Sequence, residues 1–396
     1  MNPNTLAKRT AAQLLAWQPL VEAHITLERM RRYVTSISDV SSPSTTASVL
    51  RGPVLRELLR ETKAPAEHKL HFDLNYQNTG NSVILTGPRD GRKKLWYFAH
   101  LDTISYLVQP EEQSRYPLVP FGYHMIQNGN RPALAYRFVS SHSRYEIIAR
   151  GHLESEDARP FFRPESGDRS LQPGDRVVFS TSYQEDPLGN FSAHVDNAGA
   201  VAALLAAAPV LAAAKVDALL VFPDEEEGPP GSGNQLIGRG SARMLNLFPV
   251  PELVIVSDVQ QAGGKIHPNH SDRGGEGPKL GEGAVLSEFS SLARGAVTPP
   301  HLYVLAVELV AALREVGVKV QLSNNSYTSR SDDVSAMLKT PNVLLLGFPG
   351  FNRHFDLGEP MANIHDLVDL AKAMVYFATL RKQLRRIWKQ FAGDPG

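Results

Sequence analysis

Apolar residues recur in three textures along this chain, and each predicts a different kind of element. Over residues 4–35 they fall at helical spacing: Leu14, Trp17, Val21 and Ile25 form a stripe that Leu15, Leu20, Leu27 and Met30 widen, predicting an N-terminal helix or helix pair. The Ser/Thr-rich stretch 36–48 interrupts the pattern, and a further helix is expected over Val54–Glu61, ending before Pro65. Three strand-like runs follow, Lys69–Leu74, Ser82–Leu85 and Leu95–Phe98, with a Gly-Pro-Arg-Asp-Gly turn at 87–91 between the last two. From 106 to 190 the texture changes. Proline and glycine punctuate short pieces such as Ala133–Val139, Tyr145–Arg150 and Arg176–Ser180, with no helical period, which reads as a small β-rich insertion.

After Asn190 helices and strands alternate. An Ala-rich helix (198–214) precedes a strand (Ala218–Phe222), a helix (Ser241–Phe248), a strand (Leu253–Ser257) and a helix (Leu302–Val316). A strand (Val318–Leu322), a short helix (Asp332–Leu338), a strand (Val343–Gly347) and a terminal helix from Asp366 complete the series. Such alternation predicts an α/β fold with a mixed, largely parallel sheet flanked by helices on both faces. The expected division is a main domain in two parts, 1–105 and 191–396, around an inserted β-rich domain at 106–190.

Composition narrows the chemistry. The 396 residues contain no cysteine, which excludes disulfide scaffolds, thiolate nucleophiles and Cys-ligated metals. Lys+Arg and Asp+Glu are both 41, so the global basic field common in nucleic-acid binders is missing, and the basic residues of the last helix suit its dipole. Hydrophobic residues at 42% and charged residues at 21% are an ordinary globular balance. No stretch reaches the roughly 18–20 apolar residues that cross a bilayer, and no secretory signal is read at the start, so a cytoplasmic location with no membrane partner is expected. Ala198–Ala214 reads as a buried helix.

The polar residues that break the apolar pattern cluster where open α/β sheets collect ligands, beyond the carboxyl ends of strands. His100 and Asp102 follow one strand, Asp224-Glu225-Glu226-Glu227-Gly228 another, and Asp258 a third; His354 lies a few residues past a fourth. His194-Val195-Asp196-Asn197 opens the Ala-rich helix. Taken singly, each has a bland explanation: a surface pair, a solvated acidic loop, an N-cap, a packed histidine. Taken together they favour one shared site, because four consecutive acids after an apolar strand repel severely unless a cation neutralises them. An oxygen and nitrogen donor set without thiolates suits Zn2+, Co2+ or Mn2+. A carboxylate shared between two such ions, with an imidazole and another carboxylate on each, is a two-metal arrangement that activates water, and a further adjacent carboxylate then serves as general base.

The set His100-x-Asp102, Asp196-Asn197, Glu225-Glu226-x-Gly228, Asp258 and His354 resembles that of the co-catalytic di-zinc aminopeptidases. The resemblance implies that His100 and Asp258 bind one ion, Glu226 and His354 the other, and Asp196 both, with a cis peptide between Asp196 and Asn197. It implies further that Glu225 is the catalytic acid/base and that Asp102 orients His100. With three glutamates after Asp224 the register can slip by one; Gly228, two places after Glu226, favours the assignment given. The last ligand is His354 or His365, and the run Ser331-Asp332-Asp333, then Val343–Gly347, then Arg353-His354 favours His354. Leu171–Phe179 followed by His194–Asn197 resembles the end of the β-barrel lid of the tetrahedral, dodecameric aminopeptidases, although Thr103 stands where those enzymes usually carry an acidic residue. The resemblance thus implies a homo-oligomeric metallopeptidase acting on short peptides with two divalent ions, Zn2+ before Co2+ or Mn2+. Carboxypeptidase, dipeptidase or N-acyl amino acid amidohydrolase activity with the same chemistry is the alternative. Arg330 and Arg353 are candidates for a substrate carboxylate or for ordinary salt bridges.

Overall fold

The computed structural model describes residues 3–62, 69–89, 92–122, 126–165, 170–228, 238–263, 277–323, 331–355 and 357–393. The chain opens with helices α1 (Pro3–His24), α2 (Leu27–Ser38), α3 (Ala47–Leu50) and α4 (Gly52–Glu61). Strands β1 (Leu70–Asp73), β2 (Ser82–Thr86) and β3 (Leu95–Phe98) follow, then a run of β4 (Ser105–Val108), β5 (Tyr116–Phe121), β6 (Gly129–Val139), β7 (Arg144–Glu156), β8 (Arg159–Pro164) and β9 (Arg176–Phe179). After β10 (Gln184–Glu185) and β11 (Asn190–Ser192) come α5 (Val195–Ala213), β12 (Ala218–Phe222), α6 (Arg239–Leu247), β13 (Leu253–Val256), β14 (Val259–Gln261) and β15 (Ala284–Ser287). The chain finishes with α7 (Pro300–Arg314), β16 (Val320–Ser323), α8 (Asp333–Ala336), β17 (Val343–Phe351), β18 (Met361–Asn363), α9 (Ile364–Phe377) and α10 (Leu380–Phe391).

A 12-stranded mixed sheet runs in the order β1-β2-β12-β3-β13-β17-β18-β11-β10, with β14, β15 and β16 joined through β17. Its centre is parallel: β12 with β3, β3 with β13, and β13 with β17. Central strands covered on both faces must be apolar on both, which explains the unbroken LWYF, ALLVF and LVIV sequences of β3, β12 and β13. Alternate side chains divide between two cores. Leu95, Tyr97, Leu220 and Ile255 face the larger one with α5 and α9, while Trp96, Phe98, Val221 and Val256 face a smaller one with Met244 and Leu245 of α6. Helix α5 is apolar all round and therefore buried all round, as such helices must be. It is the one described helix long and apolar enough to cross a membrane, and its whole apolar window is enclosed by protein.

Strands β4-β5-β8-β7-β6-β9 close into a barrel with its own core, including Tyr106, Phe162, Val177 and Phe179. The barrel is docked against the rest of the chain at two places. Phe355, beyond β17, joins the barrel core and stacks on Phe179 at 4.6 Å between ring centroids. Gly122 and Gly228 let two backbones meet: a Cβ on Gly122 would lie 2.5 Å from the Glu227 carbonyl oxygen, and one on Gly228 would lie 2.6 Å from that of Phe121. Both contacts adjoin residues that carry the chemistry, Glu227 and His354.

Candidate metal centre

Five chain segments bring their polar residues together at one end of the central sheet. His100 and Asp102 lie just past β3, Glu226 and Glu227 past β12, Asp258 between β13 and β14, His354 past β17, and Asp196 in the first turn of α5. That turn is not helical at Asp196 (φ −88°, ψ 105°), the Asp196–Asn197 peptide is cis, and the Asn197 amide donates to the Ser257 carbonyl at 2.9 Å. The departure from helix turns the Asp196 carboxylate between two imidazoles: His100 Nε2 is 3.2 Å from its Oδ1 and His354 Nε2 is 3.3 Å from its Oδ2. His100 Nε2 also lies 3.7 Å from both Glu226 Oε2 and Asp258 Oδ2, and His354 Nε2 lies 3.4 Å from Glu227 Oε2.

The acidic run separates into three fates, and here the geometry departs from the expected register. Asp224 accepts backbone N–H groups from Thr45, Ala47 and Glu225 at 2.7–2.9 Å, so it is an anchor. Glu225 takes a left-handed backbone (φ 62°), which swings its carboxylate away from the cluster to Arg243 Nη2 at 2.6 Å, with Arg239 at 3.9 Å. Glu226 and Glu227 are the two that enter the cluster. The expected register placed Glu225 and Glu226 in the cluster; the structure instead sets Glu225 beside Arg243, outside it, and Glu227 rather than Glu226 next to His354. Asp102 fixes both glutamates through their backbone, accepting Glu226 N–H and Glu227 N–H at 3.0 Å each, and its Oδ1 stands 3.5 Å from His100 Nδ1. His365 sits apart in the first turn of α9, where its N–H donates to Asn363 at 2.9 Å. Arg353 approaches Asp196 Oδ2 at 3.4 Å, whereas Arg330 lies outside the described residues.

Charge balance explains what these side chains need. Two carboxylates about 4 Å apart repel by about 4 kcal/mol at an effective dielectric near 20. Burial pushes the Glu226 carboxyl well above its ordinary range, and Glu227 and Asp258 add to the rise against the pull of His100. Burial alone would lower both imidazoles, but the surrounding carboxylates prevail, holding His100 well above its usual value and His354 at about 10. Asp332, read in the sequence only as part of the run that precedes His354, is buried nearby and raised by that burial to about 7. Four polar atoms that converge there are buried without a hydrogen-bond partner among the described residues: His100 Nε2, Asp196 Oδ1, Asp258 Oδ2 and His354 Nε2. Burying such atoms is costly unless a ligand completes them. His100–Asp196–Glu227 and His100–Glu226–Asp258 each place their ligand atoms within 4.8 Å of one another, so the residues fit divalent ions.

Comparison with solved structures identifies this arrangement of sheet, helices and barrel. The fold is that of the tetrahedral aminopeptidases. An aminopeptidase from the archaeon Desulfurococcus kamchatkensis matches with a TM-score of 0.67 at 18% identity, covering 91% of this chain and 98% of its own. The TET aminopeptidase of a marine-sediment thaumarchaeote gives 0.67 at 13% identity, covering 90% and 99%. The Pyrococcus horikoshii TET1 peptidase, described as assembling into a tetrahedron or a large octahedral shell, gives 0.63 at 16% identity, covering 89% and 99%. No family model matches the sequence, and no curated protein matches it significantly. The tetrahedral aminopeptidase fold therefore persists here at low sequence identity, with the acidic and imidazole residues gathered at its strand ends.

Proposed function

We propose that this chain is a two-metal aminopeptidase that removes N-terminal residues from short peptides. The observation that carries the reading is the convergence of two imidazoles and four carboxylates from five separate segments at the strand ends of an aminopeptidase fold, with buried atoms of His100, His354, Asp196 and Asp258 lacking a hydrogen-bond partner among the described residues. Two divalent cations suit the donor set, with Zn2+ the best match and Co2+ or Mn2+ usable. His100 and Asp258 would hold one, Glu227 and His354 the other, and Asp196, which faces both imidazoles, would serve both. Such a pair, when bound, lowers the pKa of a water towards about 7 and polarises the scissile carbonyl.

The chain's own residues supply the rest. Glu226 is buried in the cluster and is left over once the other five residues hold the ions, so that beside bound cations its carboxylate would take the proton of the attacking water at Oε2 and return it to the leaving amine. Asp102 orients the His100 ring from behind and sets the Glu226 and Glu227 backbone, so one carboxylate aligns a ligand and the base together. The barrel, whose strands run from Ser105 to Phe179, abuts both the Glu227 and the His354 segments, as befits a lid that limits entry to short, unfolded chains. Assembly as a homo-oligomer belongs to the same proposal.

Release of the N-terminal residue from di- to pentapeptides tests the reading. Activity is expected to vanish in chelator, return with Zn2+ or Co2+, and disappear when the substrate N-terminus is acetylated. Full turnover in chelator would refute metal catalysis, and retained cleavage of acetylated substrates would redirect the assignment to an acyl amidohydrolase.

A further inference from the structure

The Ser/Thr-rich stretch that interrupts the N-terminal helices has no place in the chemistry above, yet it lies against the loops that carry it. Ser38, Ser42, Ser44 and Arg51 are all buried. The Ser44 hydroxyl donates to Asp102 Oδ2 at 2.6 Å. Thr45 N–H and Ala47 N–H grip the two oxygens of Asp224, and the fully buried Arg51 donates to the carbonyl of Leu101, between His100 and Asp102, at 2.7 Å. The Ser42 carbonyl accepts from Thr103 N–H at 2.8 Å, and the Ser38 hydroxyl accepts from His194 N–H at 3.0 Å. One continuous segment therefore touches three of the segments that build the centre, those after β3, after β12 and at the start of α5.

We propose that residues 38–51 form a brace whose task is to position the metal ligands, with Ser44 and Asp224 as its positioning residues. The inference rests on the two-metal reading of the centre. Ser44 acts through Asp102, whose carboxylate already accepts both glutamate N–H groups and backs His100. Fixing its rotation therefore fixes a ligand ring and the ligand-bearing loop at once. Asp224 makes the second tie, since its two oxygens are shared between the brace and the N–H of Glu225, at the point where the acidic run turns towards the cluster. Residues behind the ligands typically change metal affinity by about 10–100-fold when removed.

The test is calorimetric titration of Zn2+ into full-length protein stripped of metal, with the melting temperature of each stripped variant measured beside it. Ser44→Ala is expected to weaken binding at least about tenfold at unchanged stoichiometry while the stripped protein melts as wild type does. In an Asp102→Asn background the same substitution should add little further loss, because the hydroxyl acts through that carboxylate. Asp224→Asn, which replaces one accepting oxygen with a donor, is measured in parallel and carries the same expectation of weakened binding should Ser44→Ala not fold. Wild-type affinity in both variants overturns the brace while leaving the two-metal reading intact. A parallel fall in melting temperature and affinity, additive with Asp102→Asn, also overturns it by making the segment merely structural. A wild-type chain that takes up no cation removes the two-metal reading and this inference with it.

Discussion

Asp224, Glu225, Glu226 and Glu227 are neighbours in sequence and strangers in space. The first holds backbone N–H groups of the segment before α4, the second pairs with arginines of α6, and only the last two face the imidazoles. This sorting carries a direct consequence for catalysis. Glu226→Gln is expected to retain bound metal, measured by elemental analysis, while kcat falls by roughly 10²–10⁴-fold, the range for loss of a general acid/base. Glu225→Gln should leave kcat within a few-fold of wild type. The opposite ranking would restore the register that the Gly228 spacing favours. That part of the acidic run enters a shared cluster is legible from the repulsion that four adjacent acids imply; which glutamates enter it is not. A single left-handed residue, Glu225, decides it, and a non-glycine at positive φ leaves no mark in a run of identical side chains. Of the two candidate histidines, His354 stands against Asp196 and Glu227, whereas His365 lies in the first turn of α9.

Elements with both faces covered were the easiest to read and are the least forgiving to alter. The runs of β3, β12 and β13 and the Ala-rich α5 announce themselves because burial on every side admits only apolar residues. The short β14 and β18 and the barrel strands β4, β5 and β8 were missed or blurred, since strands of three or four residues have no measurable period and β5 and β8 mix proline with apolar positions. In α5 the tightest point is Gly199, three residues beyond Asp196. A Cβ there would stand 2.6 Å from Phe348 Cζ and 3.1 Å from Leu367 Cδ2, both in the same large core. Gly199→Ala is therefore expected to destabilise the metal-free protein by about 1–3 kcal/mol, as overpacking does, despite alanine's better helix propensity. Denaturant unfolding of stripped protein measures this. A neutral or stabilising result would mean that Phe348 can swing aside.

At the scale of the whole molecule, the buried acids and imidazoles make stability depend on pH in a direction opposite to ordinary acid denaturation. Burial raises Asp366 to about 7 and Asp369 to about 6, although Gly281 N–H and Gly283 N–H donate to the first. Asp332 stands at about 7 for the same cause. A carboxyl raised in the folded state keeps its proton where the unfolded chain has lost its own, so its contribution is full below about pH 4 and disappears as pH rises through about 6–7. His354, raised to about 10, adds stability below about 6.5 that is likewise lost as pH climbs through its folded value. Asp196 and His194 run the other way: Asp196 is held below the ordinary range by His100, His354 and Arg353 against the effect of burial, and burial lowers the His194 imidazole to about 3, so both contributions fade in acid. The balance predicts that stripped protein melts at progressively lower temperature from about pH 5 to pH 9. Cations at the centre require carboxylates without protons and neutral imidazoles, so their uptake releases protons and tightens as pH rises. The melting-temperature gain from added Zn2+ should accordingly widen between about pH 6 and pH 8, in scans of stripped and reloaded protein across that series. A gain that narrows with rising pH would mean that the protons held by this cluster are not the ones the metal displaces.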